Sequence, residues 1–281
     1  AEKKGILWGW DFLKEVKLGK APKMRGDVIV VGGGNVAIDV ALTAKRLGAK
    51  KVYLFCLEKR EEMPAHEWEI SLAEEEGVLI NNSWAPKKVL GDASVSGLQV
   101  MKCTSVFDGD RKFNPTYDEK TTKKIEGKTV ILAVGQTAEL GYVSEHKGIQ
   151  VQSGRIEAEP STLSTGEKGV FASGDVVNGP ASIIQAIAQG RKAAAAMDRY
   201  LGGDGNIEEI LAKPEKEVRL TEFSGDGIPR SAMPLLKLKD RSAGFGQVER
   251  GFTDEQIAAE TDRCLNCDAR RFEVVLNTEY C

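Results

Sequence analysis

The sequence predicts an α/β fold organised on a sheet, and three observations predict it. Two runs of branched apolar residues, "VIVV" at 28–31 and "TVILAV" at 129–134, are strand-sized. The first leads through a glycine turn into a stretch with helical apolar spacing and then into another strand, the order of a βαβ unit. The second run opens a further strand-and-helix segment, and the sequence between the two alternates as antiparallel strands do.

Taken in order, "GILWGWDFLKEV" reads as a short apolar helix carrying aromatics, and "KLGKAPKMRG" as a polar link. A strand at 27–31, a helix at 35–47 and a strand at 51–57 make the βαβ unit. "HEWEISLAEEEG" reads as a helix with Trp68, Ile70 and Leu72 among carboxylates, stopped by Gly77. From 78 to 113 the alternation and the Gly and Asp turns predict antiparallel strands, whereas "NPTYDEKTTKKIEGK" reads as a polar surface hairpin or loop. The second segment runs from "KTVILAVGQ" through a β-rich piece, "GIQVQSGRIEAE", to a strand in "GVFASGD" and a helix in "SIIQAIAQGRKAAAAMDRYL". Beyond Gly202-Gly203 the chain turns polar with scattered prolines. It closes on a helix in "TDEQIAAETDRCLNC", where Thr253 and Gln256 have capping-box spacing.

With 281 residues, 41% hydrophobic and 29% charged, the composition is that of an ordinary globular chain long enough for about two domains. A net charge of −3 gives no reason to expect nucleic acid or an anionic membrane as partner. The apolar runs are too short to span a bilayer, and the amino-terminal stretch has no signal-peptide core. Five unevenly placed cysteines argue for reduced thiols or metal ligation in a reducing compartment, so the cytoplasm is the expected location.

The spacing Gly32-x-Gly34-x-x-Ala37 matches a Rossmann-type dinucleotide fingerprint with Ala at the last small position. Gly32 permits the tight turn, Gly34 lets a pyrophosphate approach the backbone, and Ala37 lets the helix pack near the strand. With Gly33 between them, and Asn35 and Val36 opening the helix, unpaired amides and the helix dipole meet the phosphates. Glycine turns also serve structure alone. The strand–turn–helix–strand order is what favours the nucleotide. Glu58 falls about twenty residues further on, where a carboxylate accepts from both ribose hydroxyls and repels a 2′-phosphate. NAD(H) is therefore favoured over NADP(H), although Lys59 and Arg60 follow at once and stand within reach of a phosphate. Equally, Glu58, Lys59 and Arg60 could be a solvated strand end.

Here the sequence resembles the small-subunit family of glutamate synthase, flavoprotein oxidoreductases of the wider glutathione-reductase-like fold. The resemblance rests on "VVGGGNVAIDVALTAKRLGA", "REEMPA", "ILAVGQ" and "GVFASGDVVNGPASIIQAIAQGRKAA", and covers roughly residues 5–203. It implies a Rossmann-type nucleotide-binding domain with β/β/α character, plus part of an FAD-binding domain. Its boundaries are a lead-in from the FAD domain at 1–25, the NAD(P)-binding domain at 26–130, the carboxyl-terminal half of the FAD domain at 131–203 and an extension at 204–281. Gly135 lies in the return crossing, and Gly174-Asp175 is implied to meet the flavin. Asp175 also follows an apolar strand and precedes a helix, and Ala181, Ser182 and Ile183 offer backbone donors to a flavin carbonyl. No GxGxxG for the ADP half of FAD precedes Gly32. The expectation is a fragment of a longer polypeptide, or a flavin site completed by another chain.

The family's chemistry, hydride transfer between stacked rings, obliges no side-chain acid or base, and none is assigned. His66 and His146 read as surface groups, Asp39 as a buried or capping carboxylate, and Cys56 and Cys103 as small core residues. No Cys-x-x-Cys lies between Gly26 and Gly127, against thioredoxin-reductase chemistry. Cys264 and Cys267, three apart, with Cys281, are candidate ligands of a 4Fe–4S cluster in the complete protein, or of zinc. The function expected is NADH to FAD hydride transfer, with electrons passed to iron–sulfur centres or an electron-accepting partner subunit or domain. The alternative is an NAD(H)-binding regulatory or scaffold module without turnover.

Overall fold

The computed structural model describes residues 3–143, 145–207 and 229–263. They divide into two compact units, 3–135 with 229–263, and 136–207.

In the first unit the elements are β1 (Ile6–Trp8), α1 (Gly9–Lys17), β2 (Val28–Val31), α2 (Asn35–Arg46), β3 (Val52–Phe55), α3 (Glu67–Glu75), β4 (Val78–Asn81), β5 (Trp84–Leu90), β6 (Gly97–Phe107), β7 (Phe113–Glu126) and β8 (Thr129–Leu132). Five parallel strands pair in the order β1–β8–β2–β3–β4, while β5, β6 and β7 form an antiparallel meander. Successive side chains of a strand point to opposite faces. Val28, Val30, Val52, Leu54 and Ile131 accordingly pack with Ala37, Ile38 and Ala41 of α2 and Ile70 of α3. Ile29, Val31, Phe55 and Val130 pack instead against Trp84, Leu98 and Val100 of the meander. Each fully buried large aliphatic side chain contributes about 1.5–3 kcal/mol of burial free energy. Strands covered on both faces therefore carry unbroken apolar runs. Helices on one side and a meander on the other leave the carboxyl ends of the central strands open.

Several elements differ from the reading of the sequence. "GILW" enters as β1, an edge strand paired with β8, and the helix starts only at Gly9. The lead-in thus pairs into this unit's sheet, and the compact unit takes in residues up to 135. Val78–Asn81 is a parallel strand beside β3. The polar stretch after 113 is the longest strand, β7, whose side chains are mostly exposed while its backbone bonds to β6 through several register shifts.

The second unit holds a hairpin of β9 (Val151–Gln152) and β10 (Arg155–Ile156), α4 (Asp175–Asn178) and α5 (Ile183–Tyr200). Within "GVFASGD" the only pairing is an isolated bridge from Phe171 to Ser164. Ser182 caps α5 through a capping box with Gln185.

In the extension, α6 (Leu238–Arg241) and α7 (Asp254–Asp262) follow, the latter with the expected Thr253–Gln256 box. Arg241, 3% exposed, pairs with Glu75 and, at 3.4 Å, with Glu76, whose buried carboxylate also takes the Arg46 guanidinium at 2.6 and 3.1 Å. A buried charge stripped of one partner is costly. Arg241→Ala should lower unfolding free energy by about 1–3 kcal/mol in urea denaturation. A shift below about 0.5 kcal/mol would show that this contact does not anchor the extension.

Candidate functional site

The carboxyl ends of β8, β2 and β3 open into a cleft of about 560 Å³. It is lined by Gly32, Gly33, Gly34, Asn35 and Val36 at the turn, by Cys56 and Glu58 after β3, and by Val134 and Gly135 after β8. The meander contributes Trp84, Met101, Phe113 and Tyr117.

Each glycine of the turn has its own reason. Gly32 sits at φ +141°, and a Cβ there would come within 2.3 Å of the Ala133 carbonyl oxygen. A Cβ on Gly33 would stand 2.6 Å from Glu58 Oε2, so the carboxylate lies directly on the turn. At Gly34 nothing lies within 4 Å, and a side chain there would project into open space. Ala37, fully buried, packs beneath the turn.

Gly34 is also the N-cap of α2, and no side chain caps that end. The adjacent polar side chain is occupied elsewhere: Asn35 Oδ1 accepts the His66 amide at 3.1 Å, and the Gly33 carbonyl accepts the Ala65 amide at 3.2 Å. These two bonds tie the "REEMPA" loop to the turn. They leave the first helical amides and the positive end of the dipole to face an anion.

Glu58 is held from behind. Its carbonyl accepts the Ser83 amide at 2.9 Å and the Asn82 side-chain amide at 3.2 Å, and Asn82 also donates to Cys56 Sγ at 3.3 Å. Burial, and then the Glu58 carboxylate, push the Cys56 thiol up from 9.0 to about 12. Arg60 is turned away: it forks onto Glu67 with two bonds of 2.8 Å and reaches Glu74 at 3.4 Å. Lys59 is 3.8 Å from Glu62, and neither cation lines the cleft. Lys102 and Lys123 place ammonium groups 5.2 and 4.2 Å from the centre of the Trp84 ring, so positive charge backs the meander wall.

Of the residues singled out in the sequence, Gly32 to Val36, Glu58 and Gly135 come together in the cleft, with Ala37 beneath. Gly174, Asp175, Ala181, Ser182 and Ile183 lie in the other unit. There the Gly174 amide donates to Gln189 Oε1 at 2.8 Å, Asp175 is exposed and Ile183 is 81% exposed. Cys264, Cys267 and Cys281 lie outside the described residues. Among the described residues no group of three His, Cys, Asp or Glu side chains could hold a metal ion, and no helix is long and apolar enough to cross a membrane. Both histidines are exposed, as expected, with His66 stacked on Trp68. Asp39, raised by burial, does not line the cleft. Phe113 and Tyr117 were missed. Their signal was two aromatics four apart in a polar stretch.

Residues 5–190 match the family described as pyridine nucleotide-disulphide oxidoreductase. The chain belongs to this family. It is 35% identical over 280 residues to the NADP(+)-dependent formate dehydrogenase subunit beta of Moorella thermoacetica, covering 94% of this chain and 39% of that protein. It is 31% identical to the NADPH-Fe(3+) oxidoreductase subunit beta of Geobacter sulfurreducens, over 94% of this chain and 44% of that one. The glutamate synthase [NADPH] small chain of Azospirillum brasilense, 32% identical over 62% of this chain and 36% of its own length, bears out the resemblance carried by the motifs. The chain thus spans about two fifths of the length of these relatives. In fold it is similar to T. acidophilum thioredoxin reductase, with a TM-score of 0.53 at 21% identity, over 70% of this chain and 57% of that one. It is likewise similar to Mycobacterium tuberculosis FprA, with a TM-score of 0.58 at 15% identity, over 72% and 60%. The likeness to both is one of fold.

The Cys56 environment yields a check. At pH 8 a thiol held near 12 is almost wholly protonated and unreactive. Iodoacetamide followed by peptide mass spectrometry should spare Cys56 in the folded chain and label it in urea. Labelling at the rate of a free thiol would refute the buried setting.

Proposed function

We propose that the chain is the nicotinamide-nucleotide half of an electron-transferring flavoprotein, in which NAD(P)H bound in the cleft gives hydride to FAD and the electrons pass to a partner subunit or an iron–sulfur centre. The observation that carries this reading is the uncapped amino end of α2, opening at Gly34 into a cleft whose next strand ends on Glu58. Gly34, Asn35 and Val36 would hold the diphosphate through main-chain amides, Glu58 the adenosine ribose, and Val134 and Gly135 would border the nicotinamide half. Membership of the family and the names of the subunit relatives support the same assignment. The regulatory alternative shares the binding and lacks the turnover.

The second unit supplies the fit for part of a flavin. Gly174, at φ +76°, precedes Asp175, which is exposed at the start of α4, and the apolar residues Ile183, Ile184 and Ile187 of α5 are uncovered. Bound there, FAD would supply the hydride acceptor. The chain's own part is to position the nucleotide and to offer Asp175 and the amides near Ile183 to the flavin.

NADH is the favoured nucleotide. The Glu58 carboxylate lies on the turn, where a 2′-phosphate would meet it, and Arg60 is already paired with Glu67 and Glu74. The names of the M. thermoacetica and G. sulfurreducens relatives favour a second reading, NADPH. Exposed ion pairs are worth about 0–1 kcal/mol, so Arg60 can leave α3 for a phosphate at small cost. Calorimetric titration of the chain with NADH and NADPH separates the two. The favoured reading expects tighter NADH, and Glu58→Ala should shift the ratio toward NADPH by about tenfold. Tighter NADPH that weakens in Arg60→Ala would install the second reading, and a ratio untouched by Glu58→Ala would remove Glu58 from recognition.

A further inference from the structure

The meander wall of the cleft has no part in the glycine-turn account, yet it carries aromatic surface that core packing does not explain. Phe113 is 65% exposed and Tyr117 39% exposed, although both line the cleft. They stand four residues apart on β7, a strand otherwise made of Asn, Thr, Asp, Glu and Lys apart from Pro115 and Ile125. Register shifts against β6 interrupt the alternation between them, and their pairing with Phe107 and Cys103 and their shared lining of the cleft put both on one side of the strand. The Phe107 ring meets Phe113 edge-on at 6.5 Å, and most of the Phe113 side chain stays exposed.

The backbone shows which end of the cleft this wall serves. The Glu58 carbonyl accepts the Ser83 amide at 2.9 Å, the Ser83 carbonyl accepts the Cys103 amide at 3.0 Å, and Cys103 is the register partner of Tyr117. Three successive pairings thus tie Tyr117 to the strand end that carries Glu58. The opposite end of the cleft, after β8, is bordered by Val134 and Gly135. With the ribose at Glu58, the next group outward is a flat purine base.

We infer that Tyr117 and Phe113 of β7 form the stacking surface for the adenine ring of the bound dinucleotide. The inference rests on the nucleotide reading of the cleft and deepens it by assigning base recognition to the meander rather than to the βαβ unit. Aromatic faces stack on a base through dispersion and the ring quadrupole without reading its edge. The wall would therefore set affinity for the adenosine half and leave the choice between NADH and NADPH to Glu58 and Arg60.

Calorimetric titration of the full chain with NADH and with ADP-ribose tests this. Tyr117→Ala and Phe113→Ala should each weaken both ligands about tenfold and equally, because the lost contact is to the half they share. Tyr117→Phe, which keeps the ring, should recover most of what Tyr117→Ala loses. Both side chains are substantially exposed, so the melting temperature should hold and separate lost stacking from lost folding. Unchanged ADP-ribose affinity in both alanine variants overturns the inference, as does a loss seen with NADH alone, which would put the wall at the nicotinamide. Gly34→Val serves as the companion. If it abolishes binding while the alanine variants do not, the cleft stands and the wall falls. If Gly34→Val binds as the parent does, or the parent binds neither ligand, the nucleotide reading falls first and takes this one with it.

Discussion

The structure depends on a helix end left without a cap. A Ser, Thr, Asp or Asn side chain at the start of a helix satisfies one of its first amides, at a gain of about 1 kcal/mol. α5 and α7 are capped in this way, through Ser182 and Thr253. α1, α3, α4 and α6 have no side-chain cap, and what sets α2 apart from those four is that its open end faces the cleft. α2 begins at Gly34 with no side chain turned back on it, although it is the helix most deeply built into the sheet. Its unpaired amides and dipole are a standing attraction for an anion, and the surrounding chain keeps that space clear. Gly34 carries no side chain into it, Asn35 is held by the His66 amide, and Arg60 is held by Glu67 and Glu74.

The layering makes this end accessible. Helices cover one face of the parallel sheet and the meander covers the other, so the strand ends are walled on both sides and open along the edge. Gly32 brings the turn against the Ala133 carbonyl, and Gly33 lets the Glu58 carboxylate lie across it. The close approaches that exclude side chains at 32 and 33 thus also set the distance between the helix amides and the Glu58 carboxylate. Charge follows the same plan: a carboxylate at one point, helix amides at another, and the lysines behind Trp84 on the meander side.

What was legible in the sequence is what local chemistry decides. The strand, three glycines, helix and second strand of the βαβ unit were readable because glycine spacing and apolar period agree over thirty residues. Glu58 followed from its distance along the chain. β1 escaped because three residues carry too little period to separate a strand from the helix that follows at once. β7 escaped because both its faces are largely wet, so nothing in its side chains alternates; only pairing with β6 makes it a strand. The partners of Arg60 lie 7 and 14 residues away, across a loop and along α3, and no spacing rule reaches them. The same holds for the Arg241 contact with Glu75 and Glu76, which joins segments more than 160 residues apart.

We infer that the bare amides at the start of α2 hold a diphosphate. Amide chemical shifts of the isotope-labelled chain, followed by NMR during titration with ADP-ribose, address it most directly. The largest saturable downfield shifts should fall on the amides of Gly34, Asn35 and Val36. Saturable binding that leaves those three resonances in place, and moves others far from the turn, would contradict it.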